Sequence, residues 1–184
     1  MFDAQHAFGP ATRLQAQAIG EPGQRTFRLL VESSDGRAAA LWLEKEQLQA
    51  LGLAVEQLLA ELQGRLASAT RAPSQPAQET FPDRPAIDFK VGRLALGQDE
   101  SELETGPRYV LLAYDIEATG PEEQDEPTQP PTFAVRATRD QLRALSRNIA
   151  EVVAAGRPRC PLCGEPLQRL GDPHACVRAN GHHV

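Results

Sequence analysis

Aromatic side chains are scarce in this chain of 184 residues, at 5%, and there are only one methionine and three cysteines. No apolar run comes near the roughly 18 residues that a membrane-spanning helix needs, so no such helix is expected. The opening residues, MFDAQHAFGPATRLQ, lack a basic start followed by an apolar stretch. No secretory signal is therefore expected, and the cytoplasm is the expected location. An odd number of cysteines leaves one thiol unpaired, which argues against a disulfide framework. Apolar residues at 41% and charged residues at 24% nevertheless suit a folded core, interrupted by loops rich in Gly (14) and Pro (15).

The usual catalytic signatures are missing as well. There is no phosphate-binding G-x-x-x-x-G-K-S/T and no G-x-G-x-x-G at a strand–helix turn. Neither a G-x-S-x-G nucleophile elbow nor an H-E-x-x-H pair occurs. Asp115 and Glu117 could pair as carboxylates, but they read as solvent-facing groups at a strand end. His6 stands alone and reads as a surface or capping residue. No catalytic residue is assigned, and the reading leans away from an enzyme.

Net charge is −6, which argues against a protein that coats nucleic acid with its whole surface. The distribution is uneven. Residues 1–133 carry 11 basic and 21 acidic side chains, and residues 134–184 carry 8 basic and 4 acidic. A mildly basic end thus follows an acidic body.

Short alternating segments at 14–19 (LQAQAI), 26–32 (TFRLLVE) and 37–43 (RAAALWL) are separated by GEPGQ and SSDG and predict a three-stranded antiparallel meander. Asp35–Gly36 marks a tight hairpin, and in the Gly20–Gly23 turn glycine supplies positive φ. A helix is predicted over about 44–66, with Leu48, Leu51, Val55, Leu58, Leu59 and Leu62 as its apolar stripe. Gly52 within it weakens the helix by roughly 1 kcal/mol relative to Ala, so packing must hold it. The pattern then recurs. Strands are predicted at 89–96, 109–117 and 132–137, and a helix over 139–155 with Leu142, Leu145, Ile149, Val152 and Val153 inward. Thr138 and Gln141 fit a capping box, and Gly156 suits a left-handed helix end. The helices align without a gap: Leu48 matches Leu142, Leu51 matches Leu145, Val55 matches Ile149, and Gln47 matches Gln141. Trp42 reads as a core or helix–sheet packing residue.

The expected fold is therefore α+β: a duplicated β-β-β-α unit, forming antiparallel sheet with helices on one face, plus a small C-terminal zinc knuckle. The first unit spans 1–67, a proline-rich linker 68–85, the second unit 86–156 and the tail 157–184. A second loop, acidic and proline-rich, lies at 117–132.

All three cysteines fall in the tail, as Cys160-Pro-Leu-Cys163 and His174-Ala-Cys176. Two cysteines separated by two residues turn both sulfurs to one point. Pro161 stiffens that turn, and Gly164 frees the backbone so that nearby amides can face the thiolates. Three thiolates and one imidazole match a closed tetrahedral zinc site, and soft ligands favour zinc over magnesium or calcium. His182 or His183 could replace His174. A redox dithiol at Cys160 and Cys163 uses neither His174 nor Cys176, and loose thiols in a frayed tail are the remaining reading.

Three stretches, CPLCGEPLQRLGDPHACVRANGHH, Gly20-Glu-Pro-Gly-Gln-Arg-Thr-Phe27 and Leu43-Glu-Lys-Glu-Gln-Leu48, together resemble an uncharacterised bacterial family, a conserved domain of unknown function. The resemblance covers most of the chain and implies a cytoplasmic protein with a cysteine-histidine C-terminus, and no particular reaction. Val177 stands where a proline is expected.

The leading expectation is a non-catalytic binding or adaptor protein with structural Zn2+ at Cys160, Cys163, His174 and Cys176. Its basic end, with Arg136, Arg139, Arg143 and Arg147, would engage a protein or nucleic-acid partner and no membrane. Arginines 139, 143 and 147 are spaced by four on one helix and repel one another unless an anion is near. An enzyme with a pocket between the two units is the alternative, and a metal-responsive or redox sensor a third reading.

Overall fold

The computed structural model describes residues 3–21, 23–63, 81–82, 84–98, 109–117, 129–156, 160–163, 165, 167, 174–176 and 178, with the backbone alone at 62 and 63. Leu66, Gly164, His182, His183 and most of the two proline-rich stretches lie outside the described residues. Among the described residues eight elements follow in order: β1 (His6–Ile19), β2 (Thr26–Ser33), β3 (Ala38–Leu43), α1 (Lys45–Gln63), β4 (Ile87–Gln98), β5 (Tyr109–Asp115), β6 (Phe133–Ala137) and α2 (Arg139–Ala154). The fold is α+β, with six mostly antiparallel strands and two helices, followed by a C-terminal Cys/His cluster. Among the described residues no helix is long and apolar enough to cross a membrane.

Turn chemistry sets the first meander. Gly20 has φ +100°, and a Cβ there would lie 2.8 Å from the Gln24 carbonyl oxygen. Only glycine fits such a position without strain. Gly36, with φ +80°, sits in the β2–β3 hairpin, where Ser33 N–H donates to Arg37 O (3.0 Å).

The two sets of three strands pair in matching register. Across β1 and β2, Leu14 faces Val31 and Ala16 faces Leu29; across β4 and β5, Leu94 faces Ala113 and Leu96 faces Leu111. Across β2 and β3, Phe27 faces Leu43 and Leu29 faces Leu41; across β5 and β6, Tyr109 faces Ala137 and Leu111 faces Val135. A register shift interrupts β1 between Ala11 and Arg13, and β4 between Val91 and Arg93. The antiparallel order holds inside each set. The joins are parallel, β3 with β4 and β6 with β1, and they close the sheet into a barrel. Nothing in the local strand patterns contains that closure.

One apolar cluster gathers the inward residues of every strand with the stripes of both helices, including Leu29, Leu41, Leu111, Val135, Leu48, Val55, Leu142 and Ile149. Each fully buried side chain of this kind contributes about 1.5–3 kcal/mol. Gly52 explains itself at the helix contact: a Cβ there would lie 3.0 Å from Ile149 Cγ2. The missing side chain lets α1 and α2 approach.

Helix α2 starts in the expected capping box, with the Gln141 N–H donating to Thr138 Oγ1 (3.2 Å) and the Thr138 N–H to Gln141 Oε1 (2.8 Å). Two expectations are corrected. Gly156 is not left-handed; α2 closes through Ala155, whose N–H donates to Glu151 O (3.0 Å). Trp42 is not in the core. Leu41 and Leu43 beside it join the cluster, so the alternation of the strand puts Trp42 on the other face. There its Nε1–H donates to Asp88 Oδ1 at 2.6 Å.

Candidate metal centre

Among the described residues the tail has two short arms. In the first, Cys160 N–H donates to Glu165 O (2.8 Å), which closes a turn around Pro161 and Leu162. In the second, Cys176 N–H donates to His174 O (2.8 Å), a tight bend that carries both side chains to the same side of the arm. Arg178 Nη1 donates to Leu162 O (3.1 Å) and ties the second arm to the tip of the first.

These bends bring Cys160, Cys163, His174 and Cys176 together, with one ligand atom from each lying within 4.8 Å of the others. Cys160 Sγ is 3.9 Å from Cys176 Sγ, and Cys163 Sγ is 3.2 Å from His174 Nε2. A tetrahedral ion with ordinary bond lengths needs roughly 3.8 Å between two sulfurs and roughly 3.6 Å between sulfur and nitrogen. The four residues therefore fit one metal ion. Cys160 and Cys176 are buried with Leu167, Cys163 is half-buried, and His174 is exposed. All three cysteines are free thiols.

The backbone prepares the sulfurs for negative charge. The N–H groups of Cys163 and Leu162 point at the Cys160 sulfur and bring its thiol down from 9.0 to about 6. On Cys163 the strongest single influence is the Glu165 N–H, which also favours the thiolate. Burial and the neighbouring Cys160 and Cys176 sulfurs outweigh it, so the Cys163 thiol is raised. One lowered and one raised thiol follow from two sulfurs sharing a compact site, where the first negative charge opposes the second.

A family model matches residues 6–176. The chain belongs to the family described as Protein of unknown function (DUF3090). The DUF3090 match runs from the first residue of β1 to Cys176, the last of the Cys/His cluster, so barrel, helices and cluster fall within one family unit. No curated protein and no solved structure matches the chain.

The other candidate residues of this DUF3090 chain lie on the body. Arg136 is half-buried on β6, paired in the ladder with Pro10. Arg139 opens α2, and its Nε is buried with no hydrogen-bond partner. Arg143 meets Asp140 at 3.4 Å, and the exposed Arg147 donates from Nε to the Arg143 carbonyl (3.4 Å). Asp115 does not pair with the Glu117 carboxylate; its Oδ1 accepts from the Glu117 N–H (3.0 Å) and finishes the strand. His6 enters the parallel ladder opposite Phe133. Leu167, the apolar floor under the sulfurs, and Arg178, the link between arms, were not singled out by the sequence. Two leucines, Leu167 and Leu170, stand between the ligand-type pairs in a stretch that is otherwise polar, glycine or proline, and that is the signal in the sequence that could have pointed to Leu167.

Proposed function

We propose that the chain is a non-catalytic binding or adaptor protein of the cytoplasm, with a structural zinc ion held by Cys160, Cys163, His174 and Cys176. The convergence of these four ligands carries the reading. Three sulfurs and one imidazole complete a tetrahedron and leave no open position for a substrate, the pattern of structural zinc. Energetics point the same way. Among the described residues, the apolar cluster around the sulfurs consists of Leu167 with Cys160, Cys176 and Cys163. One buried leucine is worth about 1.5–3 kcal/mol, whereas ordering backbone costs about 1–2 kcal/mol per residue. Structural zinc contributes about 10–16 kcal/mol in small modules, enough to reverse that balance.

The two β-β-β-α units are proposed to be a repeat. Matching strand registers, the paired shifts at Ala11/Arg13 and Val91/Arg93, and the helix alignment support it. The partner is proposed to be a protein, met by the basic end with Arg136, Arg139, Arg143 and Arg147; nucleic acid is the second candidate. The enzyme alternative needs a pocket at the junction of the units with convergent acid and base groups. A cleft does lie at the β1–β6 join, but among the described residues that line it Arg136 is the one ionisable group. That composition favours binding over catalysis.

Capture of partners by the whole chain and by a full-length Cys160→Ser/Cys176→Ser variant tests the reading, in a salt series. The account expects partners retained by the native chain and lost by the variant, with weak salt dependence. Steep salt dependence moves the assignment to nucleic acid, and equal capture by both chains removes the tail from recognition.

A further inference from the structure

The four side chains of the Cys/His cluster are unequally covered. Cys160 and Cys176 are buried with Leu167, Cys163 is half-buried, and His174 is exposed. Cys163 Sγ lies 3.2 Å from His174 Nε2, so the two more open groups are neighbours and form one edge of the cluster. Zinc takes its sulfur ligands as thiolates, because a thiol must lose its proton to bind the ion. With the ion bound, protonation therefore no longer distinguishes the three sulfurs. Access does, and an oxidant arriving from solvent meets Cys163 first.

The two arms also differ in what holds their sulfurs together. Cys160 and Cys163 share one turn, which the Cys160 N–H closes on Glu165 O at 2.8 Å. Cys176 comes from the second arm, across the cluster. The first pair therefore stays adjacent when the ion leaves, whereas Cys176 stays near only while the arms remain joined. All four ligand atoms lie within 4.8 Å of one another, so the Cys160 and Cys163 sulfurs start within reach of a bond.

We propose that the zinc site is a redox switch, in which a peroxide joins Cys163 to Cys160 and expels the ion. The proposal rests on the zinc reading given above. In the first step the Cys163 thiolate attacks hydrogen peroxide. The S–O bond forms, the O–O bond breaks, and the departing hydroxide takes a proton and leaves as water. In the second step the Cys160 thiolate attacks the Cys163 sulfur. The S–S bond forms, the S–O bond breaks, and a second hydroxide takes a proton and leaves as water. The two thiolates lose two electrons in all, and one peroxide becomes two waters. Disulfide sulfurs carry no negative charge and are poor ligands. Cys176 and His174 remain, and a structural zinc needs four ligands. Reduction by an added thiol restores both thiolates and the complete set.

Zinc-loaded full-length chain, its metal counted beforehand, is treated with hydrogen peroxide. Release is followed with a chromophoric chelator, and the thiols are mapped by mass spectrometry. The expected result is loss of the zinc together with a Cys160–Cys163 disulfide, and rebinding after dithiothreitol and fresh zinc. Full-length Cys163→His keeps four ligands, two sulfurs and two imidazoles, and is expected to release zinc at least about tenfold more slowly. Where that variant does not load zinc, the mapping of the native chain decides alone. Zinc retained under peroxide, a disulfide that includes Cys176, oxidation to sulfinic or sulfonic acid without a disulfide, or equal release from a loaded Cys163→His chain overturns the switch and leaves the zinc reading standing. A native chain without stoichiometric zinc before treatment overturns both.

Discussion

Gln47 and Gln141 make the same bridge in the two halves of the barrel, each reaching into the other half. Gln47 Oε1 accepts from the Glu44 N–H at the start of α1 (2.9 Å), and its Nε2 donates to Val91 O and Gly92 O of β4 (3.1 Å each). Gln141 Oε1 accepts from the Thr138 N–H at the start of α2 (2.8 Å), and its Nε2 donates to Ala11 O of β1 (2.6 Å). The accepting carbonyls lie at the two register shifts, where the ladder leaves backbone groups without strand partners. Each glutamine thus starts its own helix and satisfies the irregular strand of the opposite half.

Gln47→Ala and Gln141→Ala are each expected to destabilise the chain by about 1–3 kcal/mol, the cost of leaving part-buried carbonyls and a helix-start amide unsatisfied. Urea unfolding checks this. A loss below about 0.5 kcal/mol in both variants contradicts the bridging role.

Gly52→Leu forces a side chain into the α1–α2 contact, where a Cβ alone would already lie 3.0 Å from Ile149 Cγ2. Overpacking of this kind costs about 1–3 kcal/mol, against roughly 1 kcal/mol gained in helix propensity. Net destabilisation is expected, and Ile149→Ala in the same chain is expected to recover part of it. A double-mutant cycle in urea measures the coupling; strictly additive effects contradict the contact.

In metal-free chain whose Cys160 and Cys176 amides keep their folded shifts, thiol reactivity follows the backbone amides. Folding lowers the Cys160 thiol from 9.0 to about 6, so its contribution to the folded turn is complete above about pH 9 and is lost as pH falls toward 6. Alkylation mapped by mass spectrometry is expected to set in at Cys160 near pH 6 and at Cys163 only at much higher pH. Simultaneous onset at both residues contradicts the arrangement of amides around Cys160.

Much of this was legible in the sequence for local reasons. The apolar stripes of α1 and α2, the Thr138–Gln141 capping box and the Asp35–Gly36 hairpin are set by residues a few positions apart, and local chemistry settles them. The Cys/His cluster was legible because cysteine pairs at short spacing have few other uses. Closure of the barrel was not legible. It depends on β3 meeting β4 and β6 meeting β1, pairings between distant segments that leave no local periodicity. The early part of β1 escaped notice because Gly9 and Pro10 break the alternation there. Gln47 and Gln141 were seen as matching positions, but their bonds run to the opposite half, which an alignment of the helices does not contain. Trp42 misled because size suggested the core, whereas alternation with Leu41 and Leu43 put it outside.

The central claim is that four side chains of the tail hold one zinc ion. Elemental analysis of the full chain as purified, beside full-length Cys176→Ser, tests it most directly. The account predicts one zinc per native chain and a large loss of bound metal in the variant. Native protein without stoichiometric zinc, or a variant that retains as much, contradicts it.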